Sequence, residues 1–325
     1  KYPVSLHCTH PKTVWIIILL IYAAIASVIP VNILLQPRDY LSSFFLLAGL
    51  IFGYVGLLFS HPQIHAPAII TFSSVKGMLW PTMCIIIACG AISGFHSLVA
   101  SGTTSKQLSN EKYAFRIGYG GMIMEGVVAI LAIIAVTAGL VWQGSNSYPV
   151  LMKGGDWIGT FATGFGTISK PLLGKWGPFF AMLMLNAFVM TTLDTATRIT
   201  RYIGQELFGN TLKIKFLKNS IAVTLFIIVF AYWLSTGPQA SVWPIFGASN
   251  QLISALVLMV VSAYLFSKKL PSLFAIIPGI FMLVTTIFAL IIEMMKNYGK
   301  SNQLFIISII QFSCSLSNTP CSETA

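Results

Sequence analysis

Runs of roughly 20 apolar residues recur along this 325-residue chain, as in TVWIIILLIYAAIASVIPVNILL. Each is long enough to cross a hydrocarbon core of about 30 Å at about 1.5 Å of rise per helical residue. A backbone in lipid must satisfy its own hydrogen bonds, which leaves two solutions, a bundle of helices or a closed barrel. A barrel needs segments of about 10 residues that alternate apolar and polar positions, and these runs do not alternate. The residue balance agrees, at 56% hydrophobic and only 8% charged, against about 25% charged in soluble domains. The expected fold is all-α, a polytopic transmembrane helical bundle.

Eight candidate spans follow, at residues 13–35, 41–60, 80–101, 118–142, 177–197, 219–236, 242–267 and 273–295. The connection between residues 143 and 176 is longer than the others and contains the glycine-punctuated WIGTFATGFGTI, which suits an interfacial helix, a re-entrant loop or a lid. The chain is thereby divided into a membrane segment 1–145, a long extracytoplasmic loop or re-entrant segment 146–176, and C-terminal membrane helices 177–325. A short apolar patch from Gln303 to Phe312 is left unassigned.

Net charge is +11, but the Lys and Arg residues lie in short connections between spans, where membrane topology explains them without nucleic acid. The connection from Arg198 to Lys218 holds Arg198, Arg201, Lys213, Lys215 and Lys218, while Gly237 to Ser241 holds none, so the former is placed in the cytoplasm. The QPRDY connection at Arg38 then falls on the same side, as do Lys106, Lys112, Arg116, Lys268 and Lys269. On this orientation the chain starts outside. Together with Lys1 in place of methionine, that leads us to expect further helices upstream in a longer protein.

Polar groups inside the apolar runs are the candidate functional residues, because an ionisable group in hydrocarbon costs at least about 2.5 kcal/mol and needs a partner, a cavity or a role. In CIIIACGAISGFHSLVASGTT, the glycines Gly90, Gly94 and Gly102 weaken the helix. Freed backbone groups there, with Ser93, His96, Ser97, Ser101 and Thr103, suit a broken helix that faces a substrate. GAISG also fits close helix packing. Asn250 and Gln251 suit either a helix contact or a cavity lining. Glu125, some 10 Å into its helix by rise per residue, is the candidate proton carrier. Asp194 and Arg198, at i and i+4 spacing, suit an ion pair or a gate, and Thr191, Thr192, Thr195 and Thr197 surround the aspartate with hydroxyls.

No HExxH, GxSxG, P-loop or dinucleotide motif is present. The five cysteines (Cys8, Cys84, Cys89, Cys314, Cys321) form no CxxC pair, so neither a disulfide framework nor a metal centre is indicated. No catalytic residue and no cofactor are assigned.

The segment CGAISGFHSLVASGTTSKQL, Cys89 to Leu108, strongly resembles the hallmark stretch of the carbon starvation protein A family. PVNILLQPRDYLSSF (Pro30 to Phe44), IGYGGMIMEG (Ile117 to Gly126), TTLDTATRITRY (Thr191 to Tyr202) and WPIFGASNQLISAL (Trp243 to Leu256) resemble it in the same order. The resemblance spans most of residues 13–295 and fades after Tyr298; family members are considerably longer. It implies an inner-membrane carrier, induced when carbon is scarce, that takes up peptides or pyruvate, with protons as the coupling ion. Suspected kinship with the amino acid, polyamine and organocation carriers (the APC superfamily) would imply discontinuous helices. The rival readings are a channel or channel subunit, an intramembrane enzyme using His96 with Glu125 or Asp194, and a starvation-linked sensor or scaffold.

Overall fold

The computed structural model describes residues 11–69, 71–74, 77–144, 147–153, 155–236 and 239–297; the patch from Gln303 to Phe312 lies outside them. In chain order the helices are α1 (Pro11–Val28), α2 (Leu35–Ser60), α3 (Cys84–Ala91), α4 (Gly94–Val99), α5 (Ser105–Gln107), α6 (Tyr113–Thr137), α7 (Tyr148–Lys153), α8 (Trp157–Ile168), α9 (Lys170–Leu173), α10 (Gly177–Gly204), α11 (Ser220–Thr236), α12 (Gln239–Ser267) and α13 (Leu273–Asn297). A two-residue antiparallel ladder pairs Ser73–Ser74 with Gly77–Met78. The all-helical expectation holds.

Six stretches among the described residues are long and apolar enough to cross a membrane: Leu35–Ser60, Leu79–Gln107, Tyr113–Thr137, Lys170–Thr211, Phe246–Ser267 and Leu273–Ile292. The first and sixth of the eight candidate spans fold as shorter apolar helices, Thr13–Val28 and Ser220–Thr236. Large apolar side chains on these helices are exposed, among them Ile51, Ile133, Val229 and Val260. An outer surface of this kind suits hydrocarbon, and the chain is a multi-pass membrane protein.

The chain packs as two units, residues 1–70 with 112–233, and residues 71–111 with 234–325. Packing thus groups segments distant in sequence. In the first unit, Leu50, Leu131, Ala135, Ala162, Phe165, Ile168 and Ala181 form a buried core shared by α2, α6, α8 and α10. The segment WIGTFATGFGTI folds as helix α8, with Trp157, Thr163 and Thr167 exposed and its other face packed on the first unit's core. Its 12 residues, about 18 Å long, pack among the longer helices with Phe165 and Ile168 fully buried. Small residues permit this approach: a Cβ at Gly164 would overlap the Ala135 carbonyl oxygen, and one at Gly139 the Gly164 carbonyl oxygen. Asp156 caps the helix, its Oδ1 accepting from Gly159 N–H at 2.8 Å.

In the second unit, α12 and α13 run antiparallel, joined by the short turn 268–272, and α3 and α4 pack on α12. Trp80 ties the entry of this segment to α13, donating from Nε1 to Thr285 Oγ1 at 3.3 Å and stacking obliquely on Phe288 at 5.4 Å between centroids.

Candidate functional site

The second unit contains a helical break within the membrane-length stretch Leu79–Gln107. Helix α3 stops at Ala91, and the backbone turns extended at Ile92 (φ −136°, ψ 104°) and Ser93 (φ −124°, ψ 133°) before α4 restarts at Gly94. A break in a span leaves amides and carbonyls without intrahelical partners, and lipid supplies none. Asn250 on α12 answers several at once. Its Oδ1 accepts from Phe95 N–H at 2.6 Å, and its Nδ2 reaches Ser93 Oγ at 2.9 Å and Cys89 Sγ at 3.0 Å. The neighbouring Gln251 donates toward the Ile85 carbonyl at 3.4 Å, while its Oε1 is buried without a partner.

The clasp depends on glycine. A Cβ at Gly94 would overlap the Asn250 carbonyl oxygen and lie 2.6 Å from Ile253 Cβ. The GAISG pattern therefore packs closely on α12 at its second glycine, while the backbone breaks just before it.

Other candidates in this stretch are not drawn into the clasp. Gly90, His96 and Ser101 are exposed, and Ser97 and Thr103 are half-buried. The hydroxyls are used within the helix: Ser97 donates to the Gly94 carbonyl at 2.6 Å and Ser101 to the Ser97 carbonyl at 2.9 Å. Only the Thr103 hydroxyl is buried and unpartnered here.

The first unit holds a buried charge cluster whose pairing differs from the sequence expectation. Asp194 does not bond Arg198 at i+4. Its Oδ2 accepts from Arg38 Nη1 and, at 2.9 Å, from Tyr22 Oη, and Arg38 also donates to Tyr22 Oη at 2.9 Å. Asp194 is fully buried, Arg38 retains 19% side-chain exposure, and Arg38 Nη2 meets the exposed Asp39 at 2.8 Å. Arg198 turns the other way, donating from Nη2 to the carbonyls of Ala26 (2.7 Å) and Ile29.

Ala26 lies in the last turn of α1 and Ile29 just beyond its end, where intrahelical donors run out and the helix dipole is negative. Arg198 caps that helix end. QPRDY, expected as a connection between two spans, folds instead as the first turns of α2, and Arg38 in it meets Asp194 of α10. Thr191 and Thr197 donate to the carbonyls of Phe188 (2.7 Å) and Leu193 (2.8 Å) rather than to Asp194.

Glu125 stands apart from this cluster. It lies on an exposed stretch of α6 and makes no hydrogen bond or ion pair among the described residues. Around it Gly118, Gly120, Gly121 and Gly126 all have open space where a Cβ would stand. No group of three or more His, Cys, Asp or Glu among the described residues is placed to hold a metal ion.

Arg38 and Tyr22 escaped the sequence reading as partners of Asp194, as did Cys89 as a partner of Asn250. The one available signal for Arg38 was a charge in a tight connection between two spans.

The arrangement is that of two helical units, each with a buried polar junction inside apolar helices. A family model described as carbon starvation protein CstA matches residues 3–153 and 143–289. The chain belongs to the CstA family. Among its relatives, the peptide transporter CstA of Escherichia coli K12 is 31% identical over 82% of this chain and 48% of its own length. The peptide transporter CstA of Bacillus subtilis 168 is 34% identical over 74% of the chain and 47% of its own length. The pyruvate/proton symporter BtsT of E. coli K12 is 29% identical over 88% of the chain and 52% of its own length. The chain therefore spans about half the length of the curated CstA relatives it matches. No solved structure matches it.

Proposed function

We propose that this chain forms part of a proton-coupled secondary transporter of the inner membrane that takes up a small carboxylate such as pyruvate, or a peptide, when carbon is scarce. The observation that carries the reading is the break at Ile92 and Ser93. Irregular backbone at membrane depth is tolerated where it is buried in protein or lines a cavity, and carriers use such breaks to present carbonyls and amides to substrates. In this reading the shorter helices α1 and α11 also cross, giving eight spans, and the break corresponds to the discontinuous helices of the APC superfamily. Gly90, Ser93, Gly94, His96, Ser97, Ser101, Thr103, Asn250 and Gln251 are the substrate-facing set, with Asn250 holding the break open to a ligand. Asp194, Arg38 and Arg198 form the gate or clamp. Relatives named for peptide and for pyruvate/proton transport support this reading.

Glu125 is assigned the proton. A lone carboxylate on an open glycine-lined face suits a path completed by membrane segments outside residues 11–297. Gly121→Leu separates this from a lipid-facing position. Leucine facing lipid is favourable on insertion scales, whereas leucine on a face closed by another helix forces it apart. Thermal unfolding of the full-length protein is expected to show a lower midpoint for Gly121→Leu. An unchanged or raised midpoint means lipid covers this face.

The function itself is tested by uptake of labelled pyruvate and of a labelled dipeptide into proteoliposomes of the full-length protein under an imposed pH gradient. Saturable, gradient-driven accumulation of one of them is expected. In Glu125→Gln accumulation is lost while substrate exchange without a gradient persists. Undiminished accumulation in that variant removes Glu125 from proton coupling, and conductance without saturation replaces the carrier with a channel.

A further inference from the structure

The turn joining α10 to α11 has no part in the function proposed above. In LKIKFLK, Leu212 to Lys218, Lys213, Lys215 and Lys218 are interleaved with Leu212, Ile214 and Phe216. All six are exposed, Phe216 to 75%. From Arg201 to Ser220 the sequence carries four cationic residues against a single carboxylate, Glu206. Among the described residues no ion pair engages any of the three lysines.

The turn is a built element. Leu212 N–H donates to the Leu207 carbonyl and Ile214 N–H to the Phe208 carbonyl, both at 2.9 Å. Gln205 Nε2 holds the Lys218 carbonyl at 3.1 Å, and Arg201 Nη1 reaches Ser220 Oγ at 2.5 Å. Lys213 takes the left-handed region at φ 56°, which a residue with a Cβ adopts at a cost. The turn lies between the membrane-length stretch Lys170–Thr211 and the apolar helix Ser220–Thr236, which in the reading above places it at a membrane interface. Apolar rings and branches exposed there gain by entering the acyl boundary, and lysine stems extend their ammonium groups outward to the headgroup layer.

We propose that the Leu212 to Lys218 turn is a docking surface for anionic phospholipid, with Phe216 seated in the acyl boundary and Lys213, Lys215 and Lys218 paired to headgroup phosphates. Charge complementarity selects this occupant: a cluster of unpaired ammonium groups at a membrane interface faces a surface whose anionic lipids carry the opposite charge. Each lysine near such a surface strengthens binding roughly fivefold, so the three together supply on the order of a hundredfold preference over neutral lipid at low salt.

The test is native mass spectrometry of the full-length protein in neutral detergent, titrated with phosphatidylglycerol and, separately, with phosphatidylcholine. Preference for phosphatidylglycerol is expected. It falls by more than tenfold in Lys213→Gln/Lys215→Gln/Lys218→Gln, and the corresponding triple arginine variant keeps it. Thermal unfolding of the glutamine variant, with side chains that are exposed and outside the core, checks that it remains folded. A glutamine variant that keeps the full preference overturns the proposal. Displacement of the bound lipid by millimolar glycerol phosphate overturns it too, because the ligand would then be a soluble phosphate anion.

Discussion

Arg38→Ala is expected to lower stability by about 3–5 kcal/mol, because removing one partner of a buried ion pair leaves the other charge uncompensated. Asp194 would be the stranded group, fully buried and inside the membrane-length stretch Lys170–Thr211. Tyr22 Oη would still donate to it, but a hydroxyl does not neutralise a carboxylate. The exposed Asp39 has no such problem, since water serves it. The double variant Arg38→Ala/Asp194→Ala is expected to be more stable than Arg38→Ala alone, because it removes the stranded charge as well as the partner. Thermal unfolding of the three proteins in detergent reads this directly. Equal destabilisation of the single and double variants would contradict a stranded, uncompensated charge at Asp194.

Gly94→Ala is the second large effect. Its new Cβ meets the Asn250 carbonyl, which is backbone and cannot rotate aside, and the Ile253 side chain. The helices must separate, and separation breaks the bonds from Asn250 to Phe95 N–H, Ser93 and Cys89 together. Overpacking costs about 1–3 kcal/mol, and a buried amide left without its acceptor costs about 1–3 kcal/mol more. Gly247→Ala, where a Cβ would meet only Ile85 Cγ2 at an ordinary 3.8 Å, serves as the matched control and is expected to unfold within a degree or two of the parent protein. A Gly94→Ala protein as stable as that control would contradict the clasp.

These two sites show what could be read in the sequence and what could not. Six of the spans were legible because hydrocarbon thickness sets a helix length and apolarity that a single sequence displays, and α12 and α13 lie close to their expected bounds. The break near Gly90 to Gly94 was legible because glycine, serine and histidine interrupt an apolar run. Its closure by Asn250 was not, since that bond joins residues 155 apart in the chain. The Asp194 pairing went the same way. An i, i+4 neighbour is always available to a helical side chain, and Arg198 was the local choice. The uncapped carbonyls at the end of α1 took Arg198 instead, leaving Asp194 to Arg38, 156 residues away. Helix α8 was ambiguous because its glycines serve a loop or a closely packed helix equally well, and only its neighbours decide.

The claim at the centre of this account is that the break between α3 and α4 faces the substrate path. Cys89 stands at that break, half-buried and bonded to Asn250 Nδ2. In a full-length protein retaining Cys89 as its sole cysteine, the rate of labelling by a hydrophilic maleimide measures water access to the site directly. The account predicts that labelling proceeds and is slowed by the transported substrate at concentrations that saturate uptake. A thiol that hydrophilic reagent does not reach, or whose labelling the transported substrate leaves unchanged, would contradict it.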